Sequence, residues 1–573
     1  MSDTSRLQPS WSTGRFYRVA LGSLFLLGIA SVTVAPVLFV LVSSFDVAPM
    51  GAAAKWSLDG WRDVFSSART WSAIYYTFLL AIRVPIATVI AFLIAWLLIR
   101  VEIPGHRFIE LAFWFGFLLP VFPMMMGWIL LLDSHYGLIN LLLMKLPFVH
   151  GAIFSIYSVP GILWVHLVLT TIPIMIILLG PTLRQLDASF EEAADMSGAS
   201  TVTTLRRITI PLLLPAIATA FVLALIKSLE AFEVERVLGT PVNINVYSTR
   251  IYDFISLEPP LFPQAMALGT IFLAILLALA VFYQAYLDRA GTRPTITSRG
   301  VKLQARQKTW WAYAISVVLI GYICITIFLP LLVLILGSFS KLFGFFFIAH
   351  PWTADHWLAV LRDTRFLRAT VTSVTLGFSV GLIGILIFSL IAWILVRANL
   401  WGMRLAALMV WLPWAIPGLI LGVTLLGLIL QTPGLSVLYG TIVPLLLALI
   451  IKELPIGVQL LRGSIAQISG QLEEAAIMCG AGFGMIFRRV TLPLIAPMLA
   501  SVFLLVFAST LRDVSTVVLI ATPGTRTMAL LMFDFTLSGQ LESASVVGVI
   551  IALICVAVTA ASFKVGNKIG IQR

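Results

Sequence analysis

The sequence predicts an all-α membrane protein of about twelve transmembrane helices, arranged as two tandem six-helix units. Two observations support this prediction. Of the 573 residues, 60% are hydrophobic and only 11% are charged, whereas soluble domains contain about 25% charged residues. In addition, a polar segment that begins at Glu191 returns at Glu473, 282 positions later (473 − 191 = 282). The composition indicates a chain embedded in a lipid bilayer, and the repeat indicates an internal duplication.

The apolar stretches of the chain are long enough to cross a membrane, which requires about 20 residues per helix. Twelve candidates are centred near residues 30, 85, 120, 168, 218, 275, 324, 383, 416, 448, 503 and 553. The first exceeds the core of a signal peptide, about 7–15 residues, so we expect it to remain as a span. The stretches near 120 and 416 each contain two prolines, Pro120 with Pro123 and Pro413 with Pro417. We expect interrupted helices there.

The net charge of +12 comes from Lys and Arg residues that cluster at the ends of the apolar stretches. This pattern is typical of loops that face the cytoplasm, and it argues against nucleic-acid binding. It predicts cytoplasmic N- and C-termini. The two units are predicted at residues 1–288 and 311–573, with the turn-rich segment 289–310 as a cytoplasmic linker. A pseudo-two-fold axis along the membrane normal should relate them.

The repeated polar segment reads EEAADMSGASTVTTLRRITIPLLLP in the first copy and EEAAIMCGAGFGMIFRRVTLPLIAP in the second. Thirteen of the 25 aligned positions are identical. In the first copy, the spacing of Ser189 and Glu192 predicts a capping box that begins a short helix. Gly198 predicts the end of that helix, since glycine accepts the left-handed conformation. Six predicted spans separate the copies, so both lie on the same side of the membrane.

The order Glu-Ala-Ala, three residues, Gly and, about a dozen residues later, an apolar residue with Pro resembles the cytoplasmic coupling signature of permeases in type I binding-protein-dependent ABC importers. Two units on one chain are similar to the ferric-iron permease group, whose relatives include fused thiamine and aminophosphonate permeases. The resemblance implies a bacterial inner membrane location, two ATP-binding cassette subunits at the cytoplasmic face and a periplasmic substrate-binding protein. It implies coupling roles for Glu191, Glu192, Ala193, Ala194, Gly198, Glu473, Glu474, Ala475, Ala476 and Gly480.

The sequence contains no G-x-x-x-x-G-K-[ST] phosphate-binding loop, so we expect ATP hydrolysis on a separate subunit and no enzyme activity or cofactor in this chain. Ferric iron is the preferred substrate on the resemblance. The alternatives are an organic solute, such as an aminophosphonate, thiamine or a polyamine, or transport driven by an ion gradient. A secondary transporter of that last kind would need a relay of buried acidic residues, which the sequence does not suggest.

A charged segment follows the fifth apolar stretch and includes Glu230 and Glu233, and its counterpart in the second half contains Arg512 and Asp513. Ionisable residues at a membrane edge are functional candidates because burying an isolated charge is costly. The segment is similar to the corresponding region of iron-type permeases. These four residues are therefore candidates for the substrate pathway. The alternative is a surface loop with local ion pairs.

Other polar or sulfur-containing side chains in the apolar stretches have simpler interpretations. Lys452 and Glu453 are adjacent and are interpreted as a neutralised pair or as charges at a helix edge. Arg83 is expected to snorkel or to pair with another helix, and His166 to be a packed polar side chain. Residues 124–126, three methionines, are expected to fill the core. The sequence has neither an H-x-x-x-H pattern nor clustered carboxylates, so we expect no bound metal.

Overall fold

A computed structural model describes residues 15–48, 54–290, 311–398 and 400–568, and in these ranges the protein is all-α. The same ranges contain no β-strand and only two isolated β-bridges, Asp46 with Trp56 and Ser340 with Trp352. The predicted fold class is confirmed. Most of the predicted linker 289–310 lies outside the described residues, so its role as a linker stays a prediction.

Nine helices within the described ranges are long and apolar enough to cross a membrane, and the total is twelve if three bent helix pairs are each one span. We number these spans 1 to 12 in chain order. They are Val19–Ser43, Ala68–Arg100, His106–Leu118 with Val121–Leu132, Val159–Gln185, Thr201–Leu229, Phe262–Leu279, Ala312–Ser338, Thr364–Arg397, Met403–Ala415 with Gly418–Gln431, Val443–Gln467, Phe483–Leu494 with Ala496–Leu511, and Leu541–Ala561. Each predicted centre falls within one span or at its break.

Spans 3 and 9 are broken at the prolines that predicted their interruption. Span 3 bends by 102° and span 9 by 103°. In span 3, Leu119 and Pro120 are extended, and in span 9 Ile416 is extended before Pro417. A proline disfavours the helical conformation of the residue before it, so each helix ends there. Neither span is a continuous helix.

Span 11 is also bent, by 77°, at Ile495. This break was not predicted from the sequence. Its counterpart, span 5, passes the corresponding position as one helix although Pro211 and Pro215 match Pro493 and Pro497 of span 11. The prolines alone therefore do not account for the difference between the two copies.

Within the described ranges, seven shorter α-helices connect the spans, besides brief 3-10 and π-helical turns. They are Asp59–Ser66, Leu138–Leu143, Ser189–Met196, Tyr247–Ser256, Asp355–Arg362, Gly470–Met478 and Met528–Leu537. Two of them, Ser189–Met196 and Gly470–Met478, contain the repeated Glu-Glu-Ala-Ala sequence. The repeated segment therefore does form a short helix in each copy.

The contacts between the described residues divide them into two compact units that do not coincide with the two sequence halves. One unit comprises Met1–Ser57, Arg368–Leu530 and Ala557–Arg573, so span 1 groups with spans 8 to 11. The other comprises Leu58–Leu367 and Leu531–Val556, so span 7 groups with spans 2 to 6. The division into 1–288 and 311–573 thus describes the sequence repeat and stays a prediction. It is not a boundary between compact units.

Within the second of these units, helix Val121–Leu132 lies in the core. It packs against the later part of span 7, Leu329–Ser338. The three methionines at 124–126 are fully buried there, which confirms that they fill the core.

Candidate functional site

The two copies of the repeated segment fold into matching loops, which we call the first EEAA loop, residues 186–209, and the second EEAA loop, residues 468–491. Each contains the short helix named above, a turn at glycine and a second helix that begins the next span. Each second helix includes a π-helical turn at matching positions, Leu205–Thr209 and Phe487–Thr491. Such turns are uncommon and often occur at functional sites.

The helices of both loops end at the predicted glycines. Gly198 has φ +76° and Gly480 has φ +80°, in the left-handed region that side chains disfavour. The chain reversal is closed by a backbone hydrogen bond in each loop, from Ala199 N–H to the Ala194 carbonyl and from Ala481 N–H to the Ala476 carbonyl, both 3.0 Å. This arrangement satisfies carbonyls that the helix end leaves free.

The predicted capping box is wrong. The helix begins at Ser189, with Ala188 before it, and no side chain caps it. Instead, Asp187 Oδ1 accepts a hydrogen bond from the Ser189 backbone N–H at 3.0 Å, and this bond lowers the pKa of Asp187. In the second loop Ser469 takes the same position and accepts from Gln471 N–H at 3.4 Å. The side chain that accepts a hydrogen bond at the start of the EEAA helix is therefore Asp187, two positions before the predicted Ser189.

The first glutamate of each repeat points inward. In the first loop, Glu191 is only 7% exposed. Its carboxylate forms an ion pair with Arg100, whose Nε lies 2.8 Å from Oε2, and it accepts a hydrogen bond from the Thr209 hydroxyl at 2.7 Å. Arg100 also donates from Nη2 to the Leu186 carbonyl at 3.1 Å. We call Arg100, Leu186, Glu191 and Thr209 the first loop clamp, because it joins the EEAA helix to spans 2, 4 and 5.

The second loop clamp consists of Arg397, Ile468, Glu473 and Thr491, in the same arrangement. Glu473 is 8% exposed, and its carboxylate lies 2.9 Å from Arg397 Nε. It accepts from the Thr491 hydroxyl at 3.1 Å, and Arg397 Nη2 donates to the Ile468 carbonyl at 2.7 Å. One additional donor, Trp393 Nε1, lies 3.2 Å from the carboxylate. The two clamps share their chemistry, so each EEAA helix is fixed to its spans by one ion pair, which is buried in the first loop and has a half-buried arginine in the second.

The second glutamate of each repeat points outward instead. Glu192 and Glu474 are exposed, and so are the alanines that follow them, Ala193 and Ala475. One turn further along, Met196 is 91% exposed and Met478 is 87% exposed. Residues four apart lie on the same face of a helix, so each EEAA helix presents a glutamate and a methionine together. The residues predicted to couple therefore fall into two groups, because Glu191, Glu473 and Ala194 are buried whereas Glu192, Ala193, Glu474 and Ala475 are exposed, and a coupling role stays a prediction for both groups.

An exposed methionine of this kind suggests an interface. Methionine is flexible and polarisable, and it is over-used at surfaces that bind partners. The same residue is almost fully exposed at corresponding positions of both loops, 282 residues apart (478 − 196 = 282). We define the exposed face of each loop by these residues: Glu192, Ala193 and Met196 in the first loop, and Glu474, Ala475 and Met478 in the second.

The candidate pathway residues lie at the far ends of spans 5 and 11 from the EEAA loops. Glu230 is half-buried and pairs with Lys227 at 2.7 Å, while Glu233 and Arg512 are also half-buried. Asp513 is buried and contacts Lys452. The pair of Lys227 with Glu230 is local, as in the alternative interpretation of a surface loop with local ion pairs, whereas the buried Asp513 pairs with a residue 61 positions earlier. A role in the substrate pathway stays a prediction.

A buried charge cluster in the first half includes one residue that the sequence analysis did not select, Glu235. Its Oε1 accepts a hydrogen bond from His166 Nε2 at 2.8 Å and lies 3.4 Å from Arg83 Nη1. Arg83 also donates from Nη2 to the Ser228 carbonyl at 2.9 Å. We call Arg83, His166 and Glu235 the first distal cluster. The predicted pairing of Arg83 with another helix is confirmed, and so is the packed, polar environment of His166.

The second distal cluster consists of Lys452, Asp513 and Thr516. Lys452 contacts the Asp513 carboxylate, which also accepts from the Thr516 backbone N–H at 2.9 Å and from its hydroxyl at 3.1 Å. The predicted pair of Lys452 with Glu453 is wrong, because adjacent helical residues do not face each other. Glu453 instead accepts a hydrogen bond from the Ser509 hydroxyl at 2.6 Å. Among the described residues, no three His, Cys, Asp or Glu side chains come together in a way that would hold a metal ion.

Gly480→Ala is expected to loosen the second EEAA loop, since alanine in the left-handed region costs about 1 kcal/mol or more. No atom lies within 4 Å of a Cβ added at Gly480, so the cost is conformational rather than steric. Hydrogen exchange of the Ala481 amide should be about fivefold faster. Gly484→Ala is the matched control, because its added Cβ is equally free but its φ is not positive. Equal exchange in both variants would contradict the assigned role of Gly480.

Comparison with known proteins gives a family match over part of the chain. Residues 384–569 match the model of the binding-protein-dependent transport system inner membrane component. The chain is 25% identical over 398 residues to the ferric transport system permease protein FbpB of Actinobacillus pleuropneumoniae, covering 68% of this chain and 56% of FbpB. It is 30% identical over 242 residues to the trehalose transport system permease protein SugB of Mycobacterium tuberculosis, covering 42% of this chain and 85% of SugB.

The chain spans 56% to 59% of the lengths of FbpB and two other permeases that it matches. Among solved structures, it is similar to a chain of a bacterial alginate ABC transporter in complex with an alginate pentasaccharide-bound periplasmic protein. That similarity has a TM-score of 0.38 at 20% identity, and it covers 45% of this chain and 95% of the other.

Proposed function

This chain belongs to the inner membrane components of binding-protein-dependent transport systems, and from that premise we propose that it is the permease subunit of an ATP-driven importer. The observation that carries this proposal is the pair of EEAA helices, each fixed by a loop clamp and each exposing a glutamate and a methionine. Two matching exposed faces on one chain favour a partner that is present in two copies.

The proposed partner is a pair of ATP-binding cassette subunits, one on each exposed face. The sequence of this chain has no phosphate-binding loop of the G-x-x-x-x-G-K-[ST] type, so the energy of ATP hydrolysis must reach it through contacts with another protein. ATP-driven closure of the two subunits would draw the EEAA helices together. Because each loop clamp contacts spans 2, 4 and 5, or spans 8, 10 and 11, the movement would pass directly to those helices.

The proposed location is a bacterial inner membrane, with both termini and both EEAA loops in the cytoplasm. Arg100 and Arg397, which form the loop clamps, lie at the predicted cytoplasmic ends of spans 2 and 8, and the excess of Lys and Arg at these ends supports this orientation. A periplasmic binding protein would deliver the substrate to the opposite side, between two units related by the pseudo-two-fold axis.

Ferric iron is the proposed substrate, supported by the similarity to a protein named as a ferric transport permease. An organic solute is the second candidate. It is supported by the similarity to a permease named for trehalose, since the chain covers 85% of the length of that permease. Iron or organic solute would be selected largely by the binding protein, so both fit the same permease. The two candidates are separated by the uptake of radiolabelled Fe³⁺ in cells that lack this chain and in the same cells after the chain is restored. Uptake that is lost without the chain and recovered with it supports iron, and normal uptake without the chain contradicts iron.

The ATPase partnership is tested by placing a photo-crosslinking amino acid at Met196 and, separately, at Met478 in the full-length protein. We expect both positions to yield a crosslink to a polypeptide with a phosphate-binding loop, identified by mass spectrometry. The same probe at Val202, which is exposed but lies on the next helix of the first loop, is the control for random capture. No crosslink at either methionine in cells that still transport would overturn the proposal.

A further inference from the structure

The distal clusters lie on spans that also belong to the loop clamps, several helical turns away from the clamp residues. In the first half, Arg83 and Arg100 are 17 residues apart (100 − 83 = 17) on span 2, which corresponds to about 25 Å along a helix. On span 4, His166 and Leu186 are 20 residues apart (186 − 166 = 20), or about 30 Å. Spans 2 and 4 therefore contact the first EEAA loop at one end and Glu235 further along, from Arg83 near the middle of span 2 and from His166 in the first third of span 4.

Glu235 belongs to the segment that follows span 5, residues 230–246, which is not a single regular helix. Its carboxylate is the part of this segment that reaches both Arg83 and His166. The neighbouring Arg236 is paired with Asp253 at 2.7 Å, so the segment also has an internal contact. The first distal cluster thus fixes the segment to the two helices that hold the first EEAA loop.

In the second half, a single span, span 10, makes the corresponding connection. Lys452 lies in the first half of span 10 and Ile468 directly follows its end, 16 residues away (468 − 452 = 16), or about 24 Å along the helix. Lys452 contacts Asp513, which belongs to the segment that follows span 11, residues 512–527. Span 10 therefore connects the second EEAA loop, through Ile468, to that segment.

The two distal clusters are not copies of each other. The repeat offset of 282 aligns Lys452 with Thr170 (452 − 282 = 170) and Asp513 with Ala231 (513 − 282 = 231). The same offset aligns His166 with Ala448 (166 + 282 = 448) and Glu235 with Val517 (235 + 282 = 517). The loop clamps, by contrast, use identical glutamates, threonines and arginines. Each half therefore has an ionic contact between a span and the segment that follows span 5 or span 11, but the two contacts are built from different residues.

Stability alone is a weak reason for such contacts. Replacing a buried ion pair by well-packed apolar side chains is often neutral or stabilising, because the charges lose their hydration. We propose that the distal clusters are positioning residues, which couple movement of the EEAA loops to the segments that follow spans 5 and 11. This inference rests on the proposed function, since it assigns to the clusters the transmission of ATPase closure through spans 2, 4 and 10.

The test replaces the first distal cluster by apolar residues, with Arg83→Met, His166→Leu and Glu235→Leu in one variant. The full transporter, with its ATPase subunits and loaded binding protein, is reconstituted in liposomes. We expect normal assembly and ATP hydrolysis, but about tenfold less substrate moved per ATP hydrolysed. A residue that only stabilises the fold would lower uptake and ATP hydrolysis together. An unchanged ratio in the assembled variant would overturn the inference.

A single variant, Glu235→Gln, decides the question if the triple variant does not assemble, since it keeps the shape of the side chain and removes the charge. A reduced transport-to-ATP ratio supports the inference, and the wild-type ratio overturns it. Arg365→Met is the matched control, because Arg365 forms an exposed ion pair with Asp363 at 2.8 Å. If the proposed function itself were wrong, the wild-type protein would show no ATP-driven uptake. If only the inference about the distal clusters were wrong, the wild type would be active and the variants would keep its transport-to-ATP ratio.

Discussion

Reversing the charge of both exposed glutamates, with Glu192→Lys and Glu474→Lys together, is expected to abolish substrate uptake while the protein still reaches the membrane. Neither side chain is part of a loop clamp, and both are exposed. A lysine in the first turns of a helix loses about 0.3–1 kcal/mol of favourable interaction with the helix dipole. That is small against a typical stability of about 5–15 kcal/mol. The expected loss of uptake therefore comes from the altered surface that is proposed to bind the ATPase subunits, and not from unfolding.

Uptake, ATP hydrolysis and the amount of protein in the membrane are measured for this double variant. Glu102→Lys is the matched control, since Glu102 is an exposed acidic residue just beyond Arg100 but outside both EEAA loops. It should transport normally. Unchanged uptake with normal ATPase stimulation in the double variant would rule out the two faces as docking sites.

The spans were predictable because membrane insertion depends on the length of an apolar stretch, which the sequence states directly. The breaks in spans 3 and 9 were predictable for a similar reason, since proline acts on the residue next to it. The bend at Ile495 was not, because span 5 has prolines at the same positions and continues through them as one helix. The grouping of span 1 with spans 8 to 11 was also not predicted, because it depends on packing between residues far apart in the chain.

The difference between local preferences and contacts of distant residues also explains which site residues could be predicted from the sequence. The repeat identified the EEAA loops, and the glycine turns followed from a local preference. The inward direction of Glu191 depends on Arg100, 91 positions earlier (191 − 100 = 91), so a local pattern does not contain it. The partners of Lys452 and Glu235 are also far away in the sequence: Asp513 is 61 positions from Lys452, and His166 and Arg83 are 69 and 152 positions from Glu235. Only a comparison of the two halves could have suggested the clamps, since Arg100 and Arg397 follow the same Ile-Ala-Trp sequence.

Removing the arginine of a loop clamp is expected to destabilise the protein more than any other single change considered. Arg100→Met leaves the Glu191 carboxylate buried with only the Thr209 hydroxyl as a donor. Breaking a buried ion pair in this way typically costs about 3–5 kcal/mol, since the remaining charge is neither hydrated nor paired. We expect a loss of that size in the free energy of unfolding, measured by denaturant titration in detergent micelles.

A second substitution distinguishes the unpaired charge from lost packing. Arg100→Met with Glu191→Leu removes both charges, and we expect it to recover at least about half of the lost stability, because the unpaired carboxylate is then absent. Arg184→Met is the control, since the Arg184–Glu110 pair at 2.7 Å is largely exposed and such pairs contribute about 0–1 kcal/mol. If the double variant were as unstable as Arg100→Met, the stem of Arg100 rather than its charge would hold the EEAA helix. If it recovers stability but not uptake, the ion pair serves transport as well as folding, because movement of the loop then no longer reaches span 2 through Arg100.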